Sequence, residues 1–154
     1  MKTFLIILLF IMSFTSCSTN NAFHQFDMDE IQEFSEETIQ SSVIKNDKEN
    51  DGLLTVIYLN KLYPEKYKDY EYFYTYLYTK SNSKNIKFLL NEEEALSVEE
   101  LPSYNKFSNL TSFKVQWQRY YLLKFKKQGG ALNFKVQNTE FSSESIEYLK
   151  EPEV

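Results

Sequence analysis

The run Phe113-Lys114-Val115-Gln116-Trp117-Gln118-Arg119-Tyr120-Tyr121-Leu122-Leu123-Lys124-Phe125-Lys126 alternates in character. Phe113, Val115, Trp117, Tyr121, Leu123 and Phe125 fall on one side, and Lys114, Gln116, Gln118, Lys124 and Lys126 on the other. Successive side chains of a strand point to opposite faces, so this period of two predicts a half-buried strand rather than a helix. Gly129-Gly130 then marks a turn, beyond which Leu132, Phe134 and Val136 alternate with Asn133, Lys135 and Gln137. With the two glycines as the loop, Phe125 lies opposite Phe134 and Leu123 opposite Val136. The apolar faces coincide, which makes a hairpin self-consistent.

Working outward, residues 53–59 are apolar and β-branched, 70–79 alternate, 86–90 are short and apolar, and 96–98 offer a further strand. Ile146 and Tyr148 suit a last strand, with 142–144 as turn material. Five to seven strands in about a hundred residues predict a mainly β domain, an antiparallel sandwich or small barrel, over residues 51–154. Ahead of it, residues 17–50 are polar and acidic and read as a tether. Residues 29–38 can be drawn as a short helix with Asp29 as cap and Ile31, Phe34, Thr38 and Ile39 near one face.

The 154 residues include one Cys, one His, three Gly and three Pro beside twelve Tyr, thirteen Phe and one Trp. A multi-cysteine disulfide framework, a Cys-rich zinc site and a two-His metal site are thereby excluded. With 17 basic and 22 acidic side chains the net charge is −5. That argues against nucleic acid as a partner, since such binding needs a basic footprint.

The amino terminus differs from the rest. A short positive start at Lys2 leads into an apolar run from Phe4 to Phe14, then Thr15, Ser16 and Cys17. About eleven apolar residues are too few to cross a bilayer, which takes roughly 20, and match a signal-peptide core. Phe14-Thr15-Ser16-Cys17 resembles the lipobox of bacterial prolipoproteins, with Phe14 where Leu, Val or Ile is usual. The resemblance covers about a tenth of the chain. It implies a signal peptide over residues 1–16 and lipidation of Cys17 by diacylglyceryl and palmitate-type acyl chains. Two or three such chains, at roughly 0.8 kcal/mol per buried methylene, anchor a soluble domain firmly. Removing residues 1–16, which carry one Lys and no acid, leaves 138 residues of net charge −6. Ser18-Thr19-Asn20-Asn21 lacks the Asp that, in lipoproteins of the enteric type, retains the protein in the inner membrane. The expected address is the outer membrane, facing the periplasm. A sequon at Asn109-Leu110-Thr111 matters only in a eukaryote.

The most unusual segment is Tyr70-Glu71-Tyr72-Phe73-Tyr74-Thr75-Tyr76-Leu77-Tyr78. In a strand, Tyr70, Tyr72, Tyr74, Tyr76 and Tyr78 project from one face. Such a ladder suits protein contact or stacking on sugar rings, or else packs against a second layer. Asp47-Lys48-Glu49-Asn50-Asp51-Gly52 resembles the opening of a calcium loop, but Tyr58 stands where a bidentate Glu is needed, and a solvated turn is the plainer reading. Glu92-Glu93-Glu94 and Glu99-Glu100 supply paired carboxylates of the kind glycosidases use, with nothing to set their distance. His24 sits in the tether, a poor place for a general base. Lys124, Lys126, Lys127 and Lys135 make the predicted hairpin locally basic, which suits protection of a sheet edge.

These residues point to a non-enzymatic lipoprotein without cofactor or metal, held in the membrane through its lipid anchor. Its β domain would contact another cell-envelope protein. The alternative is a small carbohydrate- or ligand-binding module using the Tyr ladder, and an enzyme is the least favoured reading.

Overall fold

A computed structural model of the chain describes residues 30–47, 49–81, 84–112 and 115–150. Strands β1 (Gln40–Asn46), β2 (Glu49–Tyr58), β3 (Tyr70–Thr79), β4 (Lys87–Leu90), β5 (Glu93–Glu94), β6 (Ser97–Leu101), β7 (Arg119–Lys126), β8 (Ala131–Gln137), β9 (Ser142–Ser143) and β10 (Ile146–Leu149) share one sheet. Their order is β5-β4-β8-β9-β1-β2-β3-β7-β6, with β10 paired to β8 beside this path. The strand pairings are antiparallel, and the sheet curls into a half-barrel. Two helices accompany it, α1 (Glu30–Thr38) and the single turn α2 (Leu59–Leu62). Among the described residues no helix is long and apolar enough to cross a membrane.

The mainly β, antiparallel expectation is met. The arrangement is one curled ten-stranded sheet, not a sandwich of five to seven strands. The additional strands are those with little apolar signal. Two of them, β5 and β9, have two residues each, and β1 lies inside the stretch read as tether. Its Ser-rich sequence does not disqualify it, because ladder hydrogen bonds are made by the backbone and the hydroxyls find partners. Ser41 Oγ lies 3.0 Å from Thr55 Oγ1 on β2, and Ser42 Oγ donates to Glu144 O at 3.0 Å. The fold therefore begins before residue 51, and β1 sits between β9 and β2 in the middle of the sheet.

Strands β1 and β2 are joined through Asp47, whose φ of 51° is tolerated by Asp better than by most residues. Opposite Ile44 and Lys45 the ladder slips by one residue, leaving Asp51 as the extra residue of a bulge. The bulge turns Asp51 inward, where its carboxylate accepts from Ser81 N and Ser81 Oγ. Next to it, a Cβ on Gly52 would lie 1.9 Å from Tyr78 O, so only glycine fits against β3 there.

The predicted hairpin across Gly129-Gly130 does not form. β7 lies between β3 and β6, and β8 pairs with β4, β9 and β10. The inward faces were assigned correctly, but Phe125 and Phe134 meet across the interior of the curl rather than side by side. Within the described part of the long strand predicted from Phe113, only β7 is strand. Phe113 and Lys114 lie outside the described residues, and Val115 to Gln118 form a turn closed by Tyr120. Its hydroxyl donates to Val115 O at 2.9 Å and accepts from Val115 N at 3.2 Å. Trp117, expected inside, is 70% exposed on that turn.

Two apolar cores follow from the curl. The inner one, enclosed by the sheet, contains Leu54, Phe73, Phe88, Leu123, Phe125 and Phe134 among others. The outer one lies between the opposite face of β2, β3 and β7 and a cover made by α2 and by Phe107 and Leu110 of the 102–112 segment. Glu36 of α1 accepts from Ser112 N at 2.7 Å and Ser112 Oγ at 2.5 Å, tying the helix to that cover. Because β2 and β3 are buried on both faces, each fully buried aromatic or aliphatic side chain adds roughly 1.5–3 kcal/mol on either side.

The end strands of the sheet are consecutive in the chain. β5 pairs with β4 and β6 with β7, and the link between them bonds to both sides: Ala95 N donates to Phe88 O at 3.1 Å and Leu96 N to Lys124 O at 2.7 Å. The lysines expected to guard an edge lie instead on interior strands, Lys124 and Lys126 on β7 and Lys135 on β8. Acidic Glu93, Glu94, Glu99 and Glu100 occupy the ends, where charge discourages pairing with another sheet.

Candidate binding groove

The structure disperses most of the sequence-level candidates. Cys17 and His24 lie outside the described residues. Of the Tyr ladder, Tyr74 and Tyr76 are buried in the outer core, Tyr72 is half-buried, and Tyr70 and Tyr78 are exposed. A continuous five-phenol platform is absent because the 102–112 segment covers its centre. Tyr74 lies 5.1 Å from Phe107 between ring centroids, and Asn105 Nδ2 donates to the Tyr74 hydroxyl at 3.3 Å. Tyr70 is capped by the Lys124 ammonium, 3.6 Å from its ring centroid.

Glu92, Glu93, Glu94 and Glu100 of the acidic candidates are engaged as well. Glu92 binds Lys135 at 2.7 Å, Glu94 binds Lys87, Glu93 lies 3.9 Å from Lys126, and Glu100 binds Arg119 at 2.9 Å. The Arg119 guanidinium holds the Glu100 carboxyl below its ordinary value. In the calcium-like loop, Asp51 serves Ser81, and among the described residues no three His, Cys, Asp or Glu side chains come together as a metal site.

A groove of about 520 Å³ opens where α1, α2, the 63–69 loop, the β7–β8 link and the end of β10 meet. It is lined by Phe34, Tyr58, Asn60, Lys61, Pro64, Glu65, Lys68, Lys127, Leu149 and Lys150. Its position is set by two polar devices. Asn60 donates to Tyr67 O at 2.7 Å and Tyr70 O at 2.6 Å and accepts from Tyr72 N at 2.8 Å, which fixes the loop that forms one wall. Below the groove, Glu71 of β3 is fully buried and accepts from three donors: the Tyr58 hydroxyl at 2.5 Å, Gln128 N at 3.0 Å and Lys150 Nζ at 2.7 Å. Lys150 also donates to Gln128 O at 2.7 Å, so the β7–β8 link and the end of β10 are held to β3 by one carboxylate. Burial, with the adjoining Glu71, pushes the Tyr58 hydroxyl well above its ordinary value and keeps it a donor.

The groove combines apolar walls with cations from separated segments. Phe34 and Leu149 are 40% and 75% exposed along it. Lys61 comes from α2, Lys68 from the loop, Lys127 from the link and Lys150 from beyond β10, with Glu65 the one acid among the described lining residues and Glu71 buried beneath. Lys61 Nζ sits 5.7 Å from the Phe34 ring centroid. With the Glu71 oxygens already accepting three hydrogen bonds, the network is a structural brace, and what it presents to a ligand is apolar surface bordered by ammonium groups.

Of the groove's cations the sequence points only to Lys127, and it names Phe34 and Tyr58 for other reasons, Phe34 on a helix face and Tyr58 in the calcium-loop reading. A lone Glu inside the aromatic run 70–78 was a usable signal, because a charge on a doubly buried strand needs partners. The lysines carried none, being brought together only by the topology. Comparison of the chain with protein-family models, with curated proteins and with solved structures returns no match.

Proposed function

We propose that the chain is a lipid-anchored protein of the bacterial cell envelope, held at the outer membrane through Cys17 and facing the periplasm. Its β domain is a non-catalytic binding module that works through the groove between α1, α2 and β10. The observation that carries the binding reading is convergence. Four lysines from four segments border one apolar groove in a chain whose net charge is −5. The address rests on the lipobox-like Phe14-Thr15-Ser16-Cys17. Changing Cys17 to Ala and fractionating cells tests it: the variant should leave the membrane fraction, and continued anchoring would refute lipidation.

A second reading is an accessory subunit that contacts another envelope protein. Tyr104 and Trp117, 80% and 70% exposed, favour it. A partner recovered from membranes with the wild-type chain and lost with Trp117→Ser would support that reading over the groove. The carbohydrate-stacking alternative loses its platform with the burial of Tyr74 and Tyr76.

A further inference from the structure

We propose that the groove binds a single-tailed anionic amphiphile, a free fatty-acid type carboxylate. Its head would lie among Lys61, Lys68 and Lys127 and its tail against Phe34, Leu149 and the ring of Tyr58. This deepens the binding-module reading and rests on it, but not on the lipid anchor.

Three features select this chemistry. The volume, about 520 Å³, falls within the roughly 300–1,000 Å³ typical of small-molecule sites. The walls offer apolar surface that water leaves poorly satisfied, most of all Leu149 at the end of β10. The border is cationic. Lys61, Lys68 and Lys127 are exposed around the mouth, Lys61 over the Phe34 ring, and Lys150 beside them is bound by Glu71. A neutral apolar ligand would have no use for that border. A long polyanion would run past the groove onto a chain of net charge −5. One compact anionic head joined to one apolar tail matches both parts of the groove.

The test uses the full-length chain and a diazirine-bearing dodecanoate, with adducts mapped by mass spectrometry. Saturable labelling of peptides containing Phe34, residues 58–68 or Leu149, competed by dodecanoate, is the expected result. The double variant Lys61→Glu/Lys127→Glu should reduce labelling roughly tenfold, while Lys106→Glu, away from the groove, leaves it unchanged. Three outcomes would overturn the proposal: adducts confined to other peptides, equal labelling of the same peptides by the uncharged diazirine dodecanol, or indifference to the charge reversal. Crosslinking of a photoreactive residue at position 149 to a protein, without amphiphile labelling, would assign the groove to a protein partner instead. None of these outcomes depends on the Cys17→Ala fractionation, so failure here is separable from failure of the proposed address.

Discussion

Phe125 and Phe134 meet edge-to-face, 5.9 Å between ring centroids, from strands that are not neighbours in the sheet. Phe73 touches both, at 5.8 Å and 5.1 Å, and so joins three strands at the centre of the inner core. Phe73→Ala should cost about 3–5 kcal/mol by urea denaturation, the range for removing a buried aromatic ring. A loss below about 1 kcal/mol would contradict the close packing described.

The Tyr ladder should divide into a structural centre and tolerant ends. Tyr74→Ser empties a site in the outer core and should destabilise by roughly 3 kcal/mol or more. Tyr78→Ser, at a position 40% exposed, should stay within about 0.5 kcal/mol. Thermal melts of the two single variants decide it, and equal effects would refute the division.

Two glycines should respond oppositely to Ala. Gly52→Ala forces a Cβ into Tyr78 O and should cost roughly 1–3 kcal/mol through displacement of β2 from β3. Gly129 has nothing within 4 Å of its added Cβ and no positive φ, so Gly129→Ala should be neutral or stabilising by up to about 1 kcal/mol. Chemical denaturation of both reads the contrast directly.

Glu71→Gln keeps the shape of the side chain and removes the charge that Lys150 faces. A hydrogen bond to a charged group contributes about 1.5–3 kcal/mol, and a loss of about 2 kcal/mol is expected. Lys45→Ala, whose partner Glu144 is solvent-exposed, should change stability by less than about 1 kcal/mol.

Alkaline pH should weaken the fold. Burial pushes Tyr74 and Tyr121 up to about 12 and raises Tyr58 and Tyr148 further. An unfolded chain ionises tyrosine at about 10, so the native state holds these protons more tightly. Their contribution is complete below about pH 10 and declines as pH rises through the folded values. Melting temperatures recorded from about pH 9 to 12 should fall above pH 10, with phenolate absorbance from the buried rings lagging. A flat profile would contradict this.

Much of the architecture was legible where one segment speaks for itself. The alternation of 70–79 gave β3 with its observed bounds, and the inward faces of β7 and β8 were assigned correctly. What failed was partnership. Alternation says which way Phe125 and Phe134 point but not which strand lies alongside, and Gly129-Gly130 serves equally well to cross from one side of the curl to the other. β1 was hidden because Ser41 and Ser42 are satisfied by Thr55 and Glu144, far away in sequence. At 115–117 the period of two has no neighbouring strand, and Tyr120 closes a turn there. The groove was illegible for the same reason: its lysines are unremarkable one at a time.

The Ala95-Leu96 link bears on how the molecule comes apart. Its amides bond to β4 on one side and β7 on the other, so a single stretch of backbone acts as a clasp across the mouth of the curl. Lys124 is far from Leu96 in sequence and the clasp can close only after both halves are in place, so its formation belongs late in folding. Opening it uncouples the two ends of the sheet at once. Hydrogen exchange at Ala95 and Leu96 would therefore report on a concerted loosening of the mouth, ahead of exchange in the doubly buried β2 and β3.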